Sequence, residues 1–197
     1  MKKLVSIVVC LLVSCFVLTA CSLLPLVSPS STESTLQANQ PVTLDFSLKD
    51  KDGKDVTLAD YKGKKIYINV WATWCGPCQR EIPELEEVYQ EYKDKEDYVF
   101  LSITSPKDAE FANTNPADVS KDEILEKASE LGATYPVLFD TKDQAMTHFG
   151  IAAFPTHILI NSDGTLKVSF AGQVQKDKLV ELGKFYNEVS HLTLVKN

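Results

Sequence analysis

The junction of Ile66-Tyr67-Ile68-Asn69-Val70-Trp71 with Trp74-Cys75-Gly76-Pro77-Cys78 constrains this chain more than any other feature. The first segment is a short, nearly continuous apolar run, the pattern of a central strand covered on both faces. After it, Ile82, Leu85, Val88 or Tyr89, and Tyr92 recur at helical spacing. A buried strand therefore feeds directly into an amphipathic helix, and Pro83 inside that helix predicts a kink. Cys75 and Cys78 are three residues apart, so one helical turn can hold them within bonding distance. A helix start supplies unpaired backbone N–H groups and a partial positive charge, and both favour a thiolate. A thiolate there can attack a disulfide, and its neighbour can then resolve the mixed disulfide.

Cysteine usage supports a redox reading. Of five cysteines, Cys10 and Cys15 lie in an apolar stretch from Leu4 to Leu18 that follows Met1-Lys2-Lys3 and ends at Thr19-Ala20-Cys21. This is the pattern of a secretory signal, rather short for a membrane span. Leu18-Thr19-Ala20-Cys21 resembles a bacterial lipobox, in which the peptide is cut before a cysteine that carries lipid. An ordinary signal cut near Ala20, or an uncleaved anchor, is the other reading. With residues 1–20 removed and Cys21 acylated, Cys75 and Cys78 are the thiols left for chemistry. Their loop is too small to stabilise the fold much. A metal site needs further ligands; the histidines are His148, His157 and His191, none paired at ligand spacing. No metal is expected, and the histidines read as surface or structural residues.

Charge excludes another class. Without Lys2 and Lys3, 18 basic residues face 27 acidic ones, a net charge near −9. That balance disfavours nucleic acid and broad adhesion to anionic lipid, so membrane attachment should come from the lipid at Cys21. Residues 21–40 hold Ser28-Pro29-Ser30-Ser31-Thr32 and lack apolar periodicity. They read as a flexible tether, spanning about 25 Å as a random coil.

The remainder, 41–197, alternates strand and helix patterns. Val42, Leu44, Phe46 and Leu48 suggest a strand, Asp50 to Gly53 a turn, and Val56 and Leu58 a short return strand. Strands are expected at Tyr98–Thr104, Val137–Phe139, Thr156–Ile160 and Leu166–Phe170, the last two joined by a turn at Asp163-Gly164. Helices are expected at Lys121–Leu131, Asp143–Phe149 and around Leu179, Leu182, Phe185 or Tyr186, and Val189. Ser105–Ser120 is polar, with two prolines, and reads as a loop or insertion. The order predicts an α/β domain with a mixed central sheet.

Val70-Trp71-Ala72-Thr73-Trp74-Cys75-Gly76-Pro77-Cys78 resembles the active-site signature of thioredoxin-fold proteins. Pro83 matches their kinking proline, and Phe154-Pro155-Thr156 resembles their cis-proline segment. The N-terminal hairpin and Glu81-Ile82-Pro83 resemble the extracytoplasmic TlpA/ResA-type branch, whose Gram-positive members are lipid-tethered. The resemblance implies a thioredoxin-like fold with an N-terminal β-hairpin and a central insertion. It implies Pro155 beside the cysteines, Phe154 offering backbone groups to a bound peptide, and Trp74 as an apolar rim, with Trp71 in the core. An ordinary trans turn proline is the plain reading of Pro155. Cytoplasmic thioredoxins carry a buried aspartate where this chain has Asn69, so the acid role passes to Glu81.

The site expected on these grounds has Cys75 as nucleophile at the exposed helix edge and Cys78 one turn inward. Glu81, three residues on, lies on the same side and is placed to accept the proton of Cys78. A solvated first-turn acid is the alternative for Glu81. No cofactor beyond the Cys75–Cys78 disulfide is expected. Gly76 and Pro77 supply no charge to stabilise a thiolate, which favours a potential near the about −270 mV of thioredoxin over the about −120 mV of DsbA. Arg80 argues weakly the other way. The expected function is a monomeric, membrane-tethered extracytoplasmic reductase of a protein disulfide. By resemblance, its client would be a methionine sulfoxide reductase and its electron source a CcdA/DsbD-type membrane carrier. A thiol oxidase serving secreted proteins is the alternative. A peroxiredoxin-like peroxidase is a minor one, because Thr73 fits its spacing but the required loop proline is missing.

Overall fold

A computed structural model describes residues 38–178 and 180. The signal expected over residues 1–20 and the part of the 21–40 tether up to residue 37, Cys21 included, lie outside the described residues. So does the end of the chain: helix begins at Lys176, but most of the last helix expected through Val189 is not described.

Seven strands form one mixed sheet: β1 (Ser47–Lys49), β2 (Asp55–Thr57), β3 (Lys65–Val70), β4 (Tyr98–Thr104), β5 (Val137–Asp140), β6 (Thr156–Ile160) and β7 (Leu166–Ala171). Their spatial order is β2-β1-β5-β4-β3-β6-β7. The central β3, β4 and β5 are parallel, while β6, β7 and the β1–β2 hairpin run antiparallel to their neighbours. Three α-helices connect them: α1 (Gly76–Tyr92), α2 (Lys121–Glu130) and α3 (Gln144–His148). The fold class read from the sequence is the one observed.

β3 has period-two alternation with both faces buried. Ile66, Ile68 and Val70 enter one apolar cluster with Leu48, Leu58, Leu101, Ile103, Ile158 and Phe149. On the opposite face Trp71 joins Ile82 and Leu85 of α1, Ile124 and Ala128 of α2, and Phe111 and Phe139. Each fully buried Leu or Ile of these layers contributes about 1.5–3 kcal/mol by leaving water. The two turns named from sequence have glycines at positive φ, Gly53 at 78° and Gly164 at 83°, where a side chain would be strained.

Two strand expectations require correction. The alternation from Val42 to Leu48 forms ladder pairs only at Ser47–Lys49. Upstream, Pro41 bridges Thr165 and the Val42 N–H donates to the Gly164 carbonyl, 3.1 Å away. Val42 and Phe46 are still buried, so their periodicity reports packing without a ladder. Leu58 opens a 3-10 turn, Leu58–Tyr61, instead of ending the return strand, and is fully buried in it.

The parallel arrangement places the site. The ends of β3 and β4 lie side by side in register, Val70 opposite Ile103. The chain leaves β3 for α1 and leaves β4 for the segment 105–120 at the same sheet edge. β6 enters antiparallel with Thr156 opposite Val70, which brings Pro155 to that edge as well.

Candidate active site

Cys75 is the N-cap of α1: its Sγ accepts the Cys78 backbone N–H at 3.2 Å. Pro77 in the first turn fits because its missing N–H would be unpaired there anyway. The helix runs without interruption through Pro83 to Tyr92. Cys75 and Cys78 are joined as a disulfide with a Cα–Cα distance of 5.2 Å. Cys78 is fully buried, as expected. Cys75 is more enclosed than a position at an exposed helix edge implies, with 3% of its surface accessible. It belongs to the buried apolar cluster that also holds Trp71, Ala72 and Cys78, with Phe154 packed against that cluster.

Trp74 and Phe154 form the rim. Trp74 is 64% exposed, the large hydrophobic side chain that stands out from the described surface. Its ring meets Phe154 edge-on at 5.7 Å, and its Nε1–H donates to the Ala117 carbonyl at 2.8 Å. The Phe154–Pro155 peptide bond is cis, and Pro155 is buried. Trp71 is in the core.

The segment 105–120 is bound to this rim by a contact the sequence did not signal. Asp118, nearly buried, accepts the Thr73 N–H at 2.8 Å and the Thr73 hydroxyl at 2.5 Å. Thr73 in turn accepts Gln79 Nε2 of α1 through its carbonyl. Asp118→Ala leaves those buried donors unpaired, and a buried hydrogen bond to a charged group is worth about 1.5–3 kcal/mol. Urea denaturation should therefore show a loss of about 3 kcal/mol. A loss under about 0.5 kcal/mol, the size of an ordinary surface substitution, would mean the clamp contributes nothing.

Beneath the cysteines lies a buried polar cluster. Glu81, one turn beyond Cys78 on α1, is fully buried. Its Oε1 accepts Asn69 Nδ2 at 3.0 Å and its Oε2 accepts the Val174 N–H at 3.1 Å. His157, also fully buried, places Nε2 at 3.5 Å from Oε2 of Glu81. The same nitrogen is 3.1 Å from the Gly172 carbonyl, and Nδ1 is 2.7 Å from the Tyr67 hydroxyl. Burial first, and then the Glu81 charge, push the Tyr67 hydroxyl well above its ordinary range; Tyr135 is raised for the same two causes, in the same order. Both phenols thus remain protonated.

Sequence reading reached Glu81 but placed His157 only among surface or structural side chains. The missing information was register: Asn69 and His157 are cross-strand partners in β3 and β6, so both project onto the α1 face. Arg80 is exposed; its guanidinium reaches the Gln173 side chain at 3.2 Å and passes 3.5 Å from where a Cβ on Gly76 would lie. Among the described residues no group of three or more His, Cys, Asp or Glu side chains is placed to hold a metal ion. None of their helices is long and apolar enough to cross a membrane.

Comparison with known proteins agrees with this geometry. The Redoxin family profile matches residues 37–186. The thiol-disulfide oxidoreductase ResA of Geobacillus thermodenitrificans is 32% identical over 149 residues, 75% of this chain and 78% of that protein. The thioredoxin-like protein YneN of Bacillus subtilis is 32% identical over 135 residues, 68% of this chain and 72% of its own. Among solved structures, the exposed lipoprotein thioredoxin Etrx1 of Streptococcus pneumoniae superposes with a TM-score of 0.59 at 31% identity, covering 71% of this chain and 97% of that one. A disulfide-bonded Cys-Gly-Pro-Cys helix start, a cis-proline edge and these relatives converge: the chain belongs to the redoxin family and is a ResA-type, thioredoxin-fold thiol-disulfide oxidoreductase.

Proposed function

We propose that this protein is a lipid-tethered, extracytoplasmic reductase of a protein disulfide, with Cys75 as nucleophile, Cys78 as resolving thiol and Glu81 as proton acceptor. In the reduced protein the Cys75 thiolate attacks one sulfur of the client disulfide, and the first client thiolate leaves. Cys78 passes its proton to the Glu81 carboxylate and attacks Sγ of Cys75. The second client thiolate departs, leaving the client reduced and the Cys75–Cys78 disulfide closed. Two electrons and two protons from a membrane dithiol carrier of the CcdA/DsbD type restore the thiols. A methionine sulfoxide reductase outside the membrane is the proposed client. Trp74 and Phe154 bracket the client chain, which pairs strand-like with the backbone at Phe154.

The observation that carries the direction is the uncharged Gly76-Pro77 pair between the cysteines. A couple whose reduced thiolate lacks a cationic partner is the more reducing one. Arg80 approaches Gly76 and favours the oxidase alternative, but it is exposed and engaged with Gln173, so water and salt screen its charge. Tethering through Cys21 is supported by the lipobox-like Leu18-Thr19-Ala20-Cys21 and by the description of Etrx1 as an exposed lipoprotein.

Equilibration of the Cys75–Cys78 couple against dithiothreitol or glutathione tests the direction. The expected potential lies below about −230 mV, among reducing thioredoxin-type couples. A value above about −180 mV, in the isomerase and oxidase range, would overturn the reductase reading.

A further inference from the structure

The fully buried histidine of β6 has no part in the mechanism above, yet it faces the carboxylate on which that mechanism depends. We propose that His157 is a positioning residue for Glu81: it holds the Gly172–Val174 segment that delivers the Val174 N–H to Glu81 Oε2, and sets its own Nε2–H beside the same oxygen. The proposal rests on the reading of Glu81 as the proton acceptor for Cys78.

Register brings the groups together. His157 pairs across strands with Asn69 on one side and Phe170 on the other, so all three side chains lie in one row on the face that α1 covers. The imidazole stacks on Phe170 with ring centroids 5.0 Å apart, which fixes its plane. The Gly172 carbonyl at 3.1 Å and Glu81 Oε2 at 3.5 Å are both acceptors, and both face Nε2. A nitrogen opposite two acceptors must carry a hydrogen. Nδ1 faces the hydroxyl of Tyr67 at 2.7 Å, and that phenol stays protonated. In the proposed arrangement that hydroxyl donates to Nδ1 and the ring hydrogen that faces Glu81 sits on Nε2.

Gly172 is held twice: its N–H donates to the carbonyl of Pro155, just before β6, at 2.8 Å, and its carbonyl accepts from His157 in β6. Two residues on, the Val174 N–H reaches Glu81 at 3.1 Å. One imidazole thus supports the carboxylate through the chain that follows β7 and through its own N–H dipole. The cis-proline edge and the proton acceptor are parts of one hydrogen-bonded unit. The titratable groups facing His157 are Glu81 from α1 and Tyr67 from β3; Tyr135 also interacts electrostatically with both Glu81 and Tyr67.

The consequence is a shift in the pH at which Cys78 can be deprotonated. A hydrogen bond to a carboxylate favours its charged form, so losing one leaves it less available as a proton acceptor. The acid limb of the resolving step then moves upward. The probe is 5,5′-dithiobis(2-nitrobenzoate) with the full, reduced protein. Cys75 displaces one thionitrobenzoate and forms a mixed disulfide; attack by Cys78 releases the second. The rate of the second release against pH reports the resolving step.

His157→Phe keeps the ring on Phe170 and removes both nitrogens. It should move the acid limb up by about one pH unit. His157→Gln, whose amide N–H can take the place of Nε2–H, should restore the limb to within about 0.3 unit of the wild type. Wild-type position in a folded His157→Phe protein, or equal displacement in both variants, would overturn the proposal. Nitrogen-15 NMR of the unsubstituted protein gives an answer that needs no variant to fold: the Nε2–H tautomer is expected for His157, and the Nδ1–H tautomer would refute the assignment. Glu81→Gln separates the two readings. If it leaves the acid limb in place, the role of Glu81 fails. If it abolishes the limb while His157→Phe does nothing, only the role of His157 fails.

Discussion

A Cys78→Ser variant, reduced and mixed with insulin as a disulfide substrate, should accumulate as a mixed disulfide through Cys75 and stop turning over. Serine fits the fully buried site of Cys78, so the fold is retained, but its hydroxyl cannot attack a disulfide at neutral pH. Cys75 keeps its place as N-cap, where its Sγ already accepts the backbone N–H of residue 78. That contact favours the thiolate in the reduced protein, so the first half of the reaction proceeds. Turnover of insulin should fall by at least about 10³-fold, as when one member of a concerted pair is removed. Non-reducing gels and mass spectrometry would detect the adduct. Cys75→Ser should lose the same activity without trapping anything, because Cys78 has no accessible surface. An adduct on Cys78 in the Cys75→Ser protein would reverse the assignment of nucleophile and resolving thiol.

The cysteine pair and its helix were legible because their determinants are local. The apolar run of Ile66–Trp71, the proline in the first turn and the spacing of Ile82, Leu85 and Tyr92 act within one strand and one helix. The Asp163-Gly164 turn between β6 and β7 is local in the same sense. What escaped depends on pairing between distant segments. No spacing within the chain says that β1 lies against β5, or that Asn69 of β3 stands opposite His157 of β6. The donors around Glu81 escaped for that reason, although the carboxylate itself was found from its position after Cys78. Asp118 escaped because it sits in a polar stretch without periodicity, where its two bonds to Thr73 leave no pattern. The segment around Val42 and Phe46 misled in the opposite way, since burial alone produced alternation where no ladder forms.

Asn69→Asp should destabilise the protein by about 4 kcal/mol at pH 7, and most of that loss should disappear on acidification. Asn69 is fully buried and its amide nitrogen lies 3.0 Å from Glu81 Oε1. An aspartate there replaces a donor with an oxygen that repels the carboxylate. Two charges at that distance cost about 5–6 kcal/mol even at an effective dielectric constant of 20. Keeping one of the two carboxyls protonated at pH 7 costs less: about 3 pH units above the usual carboxyl range, at 1.36 kcal/mol per unit, or about 4 kcal/mol. The second route sets the penalty, and the shared proton then bridges the oxygens. The sign follows from linkage. The folded pair binds a proton that the unfolded chain has released at pH 7, so the penalty is absent below the unfolded carboxyl range near pH 4. It grows as pH rises above that range. At pH 5 it should be about 1.4 kcal/mol. Urea midpoints of the variant and the parent at pH 5 and pH 7 measure the difference. A penalty equal at both pH values would show that charge repulsion is not its source. A penalty of the predicted form would mean that positions 69 and 81 share room for one buried negative charge. The asparagine in β3 then supplies a donor to the Glu81 carboxylate where an aspartate would compete with it for that one charge.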